Sequence, residues 1–247
     1  MKKKALITGG SRGIGAAICR ELAEKGISVT VASRKSEAFT ELMSELPGHG
    51  HEQIEVDLQS QRELKGFLDK ISDSEYDIIV NNAGGNLGAS NPLDVYETFR
   101  QVLDFNLGLA IDVNSRAIPG MIERKWGRIT HISSISALEN QGPPQYCAAK
   151  AALNAYIRSV GRFVAGDGVV ITGVMPGAVM TAGGYWEEVM RERPEHGRKF
   201  LSERMAIKRF GETKEISSLV SFLVSESASF MNGSIVLADG GQGRVFQ

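Results

Sequence analysis

The chain has 247 residues, enough for one large α/β domain that buries most of the surface its unfolded form would expose. Its 28 basic and 29 acidic side chains leave a net charge of -1, which removes any broad electrostatic reason to expect nucleic acid or an anionic membrane and points to a small-molecule partner. Cys19 and Cys147 are the two cysteines, both in helical patterns and in no C-x-x-C spacing, so a disulfide scaffold or thiolate metal site is not expected and a reducing, cytoplasmic setting is.

Lys2 to Lys4 imitate the basic start of a signal peptide, but the apolar Ala5-Leu6-Ile7-Thr8 meets glycines at once, far short of an apolar targeting core. The segment reads as a strand preceded by solvated lysines. Ala16, Ile18, Cys19, Leu22 and Ala23 then recur with helical spacing. Further short β-branched runs lie at 29–32, 53–56, 77–80, 128–132, 169–174 and 234–237, with helical stretches between them. This alternation predicts right-handed βαβ crossovers and a Rossmann-type, doubly wound parallel sheet of seven strands, covered by helices on both faces. One domain over 1–247 is expected, because no repeat, low-complexity tract or linker divides it. Near the end, Ile216, Leu219, Val220 and Leu223 form an apolar helical stripe, with Thr213 as N-cap and Glu215 in the first turn. The tail 242–247 is expected to fray, with docking on a neighbouring subunit as the alternative. No apolar run is long enough to span a bilayer as a helix.

Behind the first strand, Thr8-Gly9-Gly10-Ser11-Arg12-Gly13-Ile14-Gly15 places glycines where a tight turn, a close approach of backbone to pyrophosphate and close helix packing need them. The second strand ends in Ala32-Ser33-Arg34-Lys35, without the acid that would hold the ribose 2′-hydroxyl of NAD. That favours NADP(H) over NAD(H), with Arg34 and Arg12 on the 2′-phosphate; the alternative is a pair of solvated surface arginines. Downstream, Tyr146 and Lys150 fall four apart in the helical pattern Gln145 to Leu153, behind the pair Ser133-Ser134. Residues at i and i+4 share a helix face, so the Lys150 ammonium is expected to lower the pKa of the Tyr146 phenol towards the range useful for proton transfer.

On these residues the chain resembles the short-chain dehydrogenase/reductase family from about Lys4 to Gly241. The matching motifs are Thr8 to Gly15, Asp57-Leu58, Asn81-Asn82-Ala83-Gly84, Asn106, the serine, Tyr146 and Lys150 set, and Pro176-Gly177-Ala178-Val179-Met180-Thr181. The resemblance implies an oxidoreductase that interconverts a carbonyl and a secondary alcohol by hydride transfer. It implies that Asp57 and Leu58 flank adenine, that Asn82, Ala83 and Gly84 line the adenosine half, and that Val179 and Thr181 hold the nicotinamide carboxamide. It further implies that Tyr146 moves the proton, that Lys150 also holds the nicotinamide ribose, that a serine binds the oxygen, that Asn106 anchors a water, and that the assembly is a homotetramer. The family's Ser-Ser habit selects Ser134, whereas its usual count back from the tyrosine selects Ser133. Ser134 is favoured, because a loop absorbs a deletion more easily than a strand.

The segment 182–207, with Tyr185, Trp186, Met190, Phe200, Leu201 and Met205, is where such enzymes close over substrate. Its aromatics either line a pocket or pack on themselves. Leu138, Glu139, Asn140 and Gln141 are expected to face the site, which would suit a polar or sugar-type substrate. A 3-oxoacyl carrier-protein substrate would need nearby bases such as Arg124, Lys125 and Arg128, but Asp167 and Gly173 argue against it. A non-catalytic NADP-binding sensor is the alternative outside enzymology.

Overall fold

In the computed structural model, which describes residues 2–245, the predicted strands form one sheet whose central members are buried on both faces and whose edge strand β3 is largely exposed. They are β1 (Lys4–Thr8), β2 (Ser28–Ser33), β3 (Glu52–Glu55), β4 (Ile78–Asn81), β5 (Gly127–Ile132) and β6 (Val169–Pro176), with β9 (Ile235–Ala238) last. They pair in parallel in the order β3-β2-β1-β4-β5-β6-β9. Each predicted run lies within a residue or two of its strand.

The period-two alternation of β1 sorts the core into two layers. Ala5 and Ile7 face α1 (Gly13–Glu24), α2 (Glu37–Glu45) and α9 (Thr213–Leu223), where Leu22, Phe39, Leu42, Ile216 and Val220 close the layer. Leu6 faces α3 (Gln61–Ser72), α5 (Leu109–Glu123) and α6 (Pro144–Val164), packing with Phe67, Ile71, Val113, Leu153 and Ile157. Truncating Phe67, which is 2% exposed, to alanine would cost about 3–5 kcal/mol.

The chain leaves β1 for β2 on one side and returns to β4 on the other. The segments after β1 and β4 therefore diverge and leave a crevice at the carboxyl ends of the strands. Between α4 (Tyr96–Leu103) and α5 the helix widens into a π turn, Asp104–Gly108, beside this crevice.

Two features depart from expectation, and a third decides between alternatives left open. A small second sheet joins β7 (Val179–Met180) to β8 (Gly211–Glu212) in parallel. This pairing holds Glu212 extended, so Glu212, not Thr213, is the N-cap of α9; it forms a reciprocal capping box with Glu215. The tail does not fray as far as it is described: Gln242 is 3% exposed, and Arg244 is hydrogen-bonded through both backbone and side chain. Phe246 and Gln247, also part of that expectation, lie outside the described residues. The 182–207 segment folds as α7 (Tyr185–Glu192) and α8 (Pro194–Arg204). Its aromatics pack on themselves, with Trp186 4.1 Å from Phe200 and 5.0 Å from Phe210 between ring centroids. Among the described residues, no helix is long and apolar enough to cross a membrane.

Candidate active site

The turn after β1 is drawn tight by contacts that no side chain there would permit. A Cβ on Gly15 would lie 2.5 Å from the Gly9 carbonyl oxygen, and Gly9 and Gly13 take φ of +67° and +56°. Arg12 is the N-cap of α1 but caps nothing with its side chain, and the first helical turn carries no acid. The free N–H groups and the positive end of the helix therefore face the crevice. Thr8 and Asn82 lock its two walls together. The Thr8 hydroxyl accepts the N–H groups of Asn82 and Ala83, both at 3.1 Å, while Asn82 Nδ2 donates to the carbonyls of Thr8 and Gly9.

This crevice, about 600 Å3, is lined by Gly9, Ser11, Arg12, Gly13, Ile14, Gly15, Ser33, Arg34, Asp57, Leu58, Asn82, Ala83, Gly84 and Thr181 from the predicted set. Lys35, Ser36, Gln59 and Phe105 also line it and were not foreseen. Their signal was adjacency to predicted residues and nothing more. Pro176, Gly177 and Val179 stand apart from this lining: Pro176 pairs with Ala238 in the sheet, Gly177 packs on Asp239, and Val179 belongs to β7. The glycine path and the uncapped helix end together fit the pyrophosphate of a dinucleotide, with the exposed guanidiniums of Arg12 and Arg34 beside it.

The chemistry-bearing side chains meet at the ends of β4 and β5. Lys150, 3% exposed, donates through Nζ to the Ile132 carbonyl at 2.8 Å, with Nζ 5.6 Å from the centroid of the Tyr146 ring. Gly84 sits so close that a Cβ there would be 3.2 Å from Lys150 Nζ and 2.6 Å from Asn106 Oδ1. Asn106 belongs to the π turn. Its Nδ2 donates to the carbonyls of Gly85 and Val102, and its Oδ1 accepts the Gly85 N–H.

The two serines are separated by their partners. Ser133 donates to Asn154 Oδ1 at 2.6 Å, whereas the Ser134 hydroxyl accepts the Ser136 N–H at 3.1 Å and is close enough to the Tyr146 phenol to affect its acidity. Burial raises the Tyr146 pKa above its ordinary value, and the Ser134 contact opposes that rise. Lys150 does not lower it, contrary to the sequence expectation. Burial without a counter-charge depresses Lys150 itself to about 7, so much of its own charge is lost at neutral pH.

One other expectation fails on geometry. Glu139 and Gln141 are spent on the tail: Gln141 Nε2 donates to Glu139 at 2.8 Å, Arg244 N donates to the same carboxylate, and Gln242 Nε2 reaches Gln141 Oε1 at 3.4 Å. The N–H of Arg244 and then the Gln141 amide hold the Glu139 carboxyl below the usual range. The bases proposed for carrier docking lie around the amino end of β5, opposite the crevice. There Arg124 donates to the Tyr76 carbonyl, Lys125 pairs with Asp167 and Arg128 is buried against Glu226. One polar cluster had no sequence signal. His131 and Asn114, both fully buried, join Asn81 and Tyr156 under the site, and burial pushes His131 down to about 3.

The sequence model described as short chain dehydrogenase matches residues 3–188. The chain belongs to the short-chain dehydrogenase family. It is 32% identical to a 3-oxoacyl-[acyl-carrier-protein] reductase of Pseudomonas aeruginosa over 97% of this chain and 96% of that one. A 3-oxoacyl reductase from Agrobacterium tumefaciens with NADP bound superposes with a TM-score of 0.89 at 30% identity, covering 97% and 93% of the two chains. The L-sorbose reductase of Gluconobacter frateurii, complexed with NADPH and L-sorbose, gives 0.87 at 27% identity over 99% and 98%. This short-chain dehydrogenase is accordingly a nicotinamide-dependent oxidoreductase of carbonyl and alcohol groups.

Proposed function

We propose that the chain reduces a carbonyl of a small or medium-sized substrate to a secondary alcohol with NADPH in preference to NADH, by way of Asn106, Ser134, Tyr146 and Lys150. The observation that carries this reading is buried Lys150 set beside the Tyr146 ring and against Gly84, which lines a crevice suited to a dinucleotide. The nicotinamide, when bound, supplies or accepts the hydride. Ser134 donates a hydrogen bond to the substrate oxygen as negative charge develops on it. Tyr146, kept protonated by its raised pKa, gives its proton to that oxygen. Lys150 holds the ribose end and returns a proton towards Tyr146, a role suited to a lysine poised near 7. Asn106 fixes the Gly84-Gly85 turn on which this geometry rests. Arg12 and Arg34 bind the 2′-phosphate.

The segment 182–207 serves as the cap on the substrate side of the single domain. Ala148, Ala151 and Ala155 present an exposed small-residue face on α6, suited to close helix pairing in a homotetramer. A reducing cytoplasm suits the two free thiols.

Reduction of a 3-oxoacyl thioester is the second reading, favoured by likeness to the Pseudomonas reductase and weakened by the placement of Arg124, Lys125 and Arg128. The test is titration with NADPH and NADH, followed by turnover on ketones, 3-oxoacyl thioesters and keto-sugars. Tighter NADPH binding with turnover on any class supports the oxidoreductase reading and names the class. Tight binding with no turnover across the panel supports a sensor instead.

A further inference from the structure

The residues past the last strand turn back over the site. Asp239 accepts the N–H groups of Gly241 at 3.0 Å and Gly243 at 2.7 Å, closing a turn in which Gly240 and Gly241 take φ of +61° and +73°. The turn drives the Gln242 side chain inward to 3% exposure. There its Oε1 accepts the Ala178 N–H at 2.7 Å, and its Nε2 donates to Gln141 at the longer 3.4 Å. On either side, Ile207 N donates to the Gly240 carbonyl, Arg244 N donates to Glu139, and the Arg244 guanidinium donates to the Glu203 carbonyl. A short strap thus ties together the 177–181 loop, the loop after the serines and the end of α8.

The contact at Ala178 is the one with a chemical consequence. That N–H is buried, and without Gln242 it would lose its acceptor in a dry place, a costly arrangement that the loop would relieve by moving. What would move leads directly into Val179 and Thr181, and Thr181 lines the crevice. The Arg12 and Gly15 end of the crevice is held by separate contacts, those of Thr8 and Asn82.

We propose that Gln242 is a positioning residue for the nicotinamide end of the cofactor, setting the 177–181 loop through the Ala178 N–H without touching the reacting atoms. This rests on the reading of that loop as the nicotinamide loop. Adenosine-end affinity is then independent of Gln242 and nicotinamide-end affinity is not.

The experiment titrates the full-length protein, Gln242→Met and Gln242→Glu with NADPH and with 2′,5′-ADP, which has the phosphorylated adenosine end but no nicotinamide. Methionine keeps the volume and removes both hydrogen bonds; glutamate restores an acceptor at the same reach. The expected result is roughly tenfold weaker NADPH binding by Gln242→Met, 2′,5′-ADP binding unchanged within about twofold, and recovery of most of the NADPH affinity in Gln242→Glu. Equal weakening for both ligands, or unchanged NADPH binding in Gln242→Met, overturns the proposal. Unmodified protein that binds neither ligand overturns the cofactor reading itself, so the two failures are told apart.

Discussion

The glycine-lined crevice and the region where the 139–141 loop meets the tail and the 182–207 segment are built by different means. The first is backbone: glycines at 9, 13 and 15, the end of α1, and two walls pinned by Thr8 and Asn82 over a sequence separation of 74 residues. The second is side-chain pairing between distant segments, with Glu139 and Gln141 spent on the tail and Trp186 on Phe200 and Phe210. A site made of backbone tolerates almost no change of residue, because the ligand reads N–H groups and empty space. A region made of exchangeable side-chain pairs is free to vary.

The largest effect expected on either side is at their junction. Tyr146→Phe removes only the hydroxyl proposed as proton donor, together with its interaction with Ser134, so turnover should fall by about 10²–10⁴ while NADPH affinity stays within about twofold. Steady-state kinetics beside a binding titration reads both, and turnover near the original rate would remove Tyr146 from the mechanism. Next in size, Gly15→Ala puts a methyl 2.5 Å from the Gly9 carbonyl, which must move. Overpacking of 1–3 kcal/mol at the phosphate turn should weaken NADPH about 10- to 100-fold. The mirror test, Trp186→Leu in the capping segment, should leave NADPH affinity unchanged while altering KM for substrate. If Gly15→Ala were harmless and Trp186→Leu impaired cofactor binding, the contrast between the two sides would be reversed.

What could be read from the chain follows the same line. The strands, their order of appearance and the glycine turn were legible because each depends on residues close in sequence: period-two runs, a glycine spacing, a helix beginning behind it. The serine pair shows where local reading stops. The sequence favours Ser134 over Ser133 only through the length of the following loop; the partner that takes up the Ser133 hydroxyl, Asn154, lies 21 residues on. Glu139 and Gln141 looked like substrate contacts because their partners, Gln242 and Arg244, lie about a hundred residues on. Glu212 displaced Thr213 as a cap because a two-residue strand, too short to show a pattern, fixed its backbone. The Tyr146 and Lys150 spacing was correct, but the sign of the electrostatics was not. Helix geometry places the amine near the ring, whereas burial, which spacing does not reveal, sets both pKa values.

A smaller effect sharpens the adenosine side. Arg34 is exposed and lines the crevice beside Ser33, and in the proposed function it supplies one charge-assisted contact to a 2′-phosphate among several. Arg34→Asp should shift the ratio of NADPH to NADH affinity by roughly tenfold or more towards NADH, since an acid there repels the phosphate and accepts from a ribose hydroxyl. An unchanged ratio would assign the preference to Arg12 and Lys35 instead.

The smallest effect lies in the stability of the cofactor-free protein and belongs to the junction itself. Lys150 is held near 7 when folded, against 10.5 for an exposed lysine, because burial disfavours its charge. Between those values the unfolded chain binds more protons at this position than the folded one, so the Lys150 contribution to stability rises with pH from about 7 towards 10. Below 7 both states are charged, and the full cost of burying the ammonium remains. Lys150→Met removes this dependence while leaving the Ile132 carbonyl without its donor, so the variant should show a flatter profile of thermal midpoint against pH over 7–10. Measured on the cofactor-free protein, parallel profiles for the two proteins would mean that Lys150 keeps its charge in the fold. The amine would then be poised by a counter-charge, and the sequence expectation of an ammonium lowering the Tyr146 pKa would be restored.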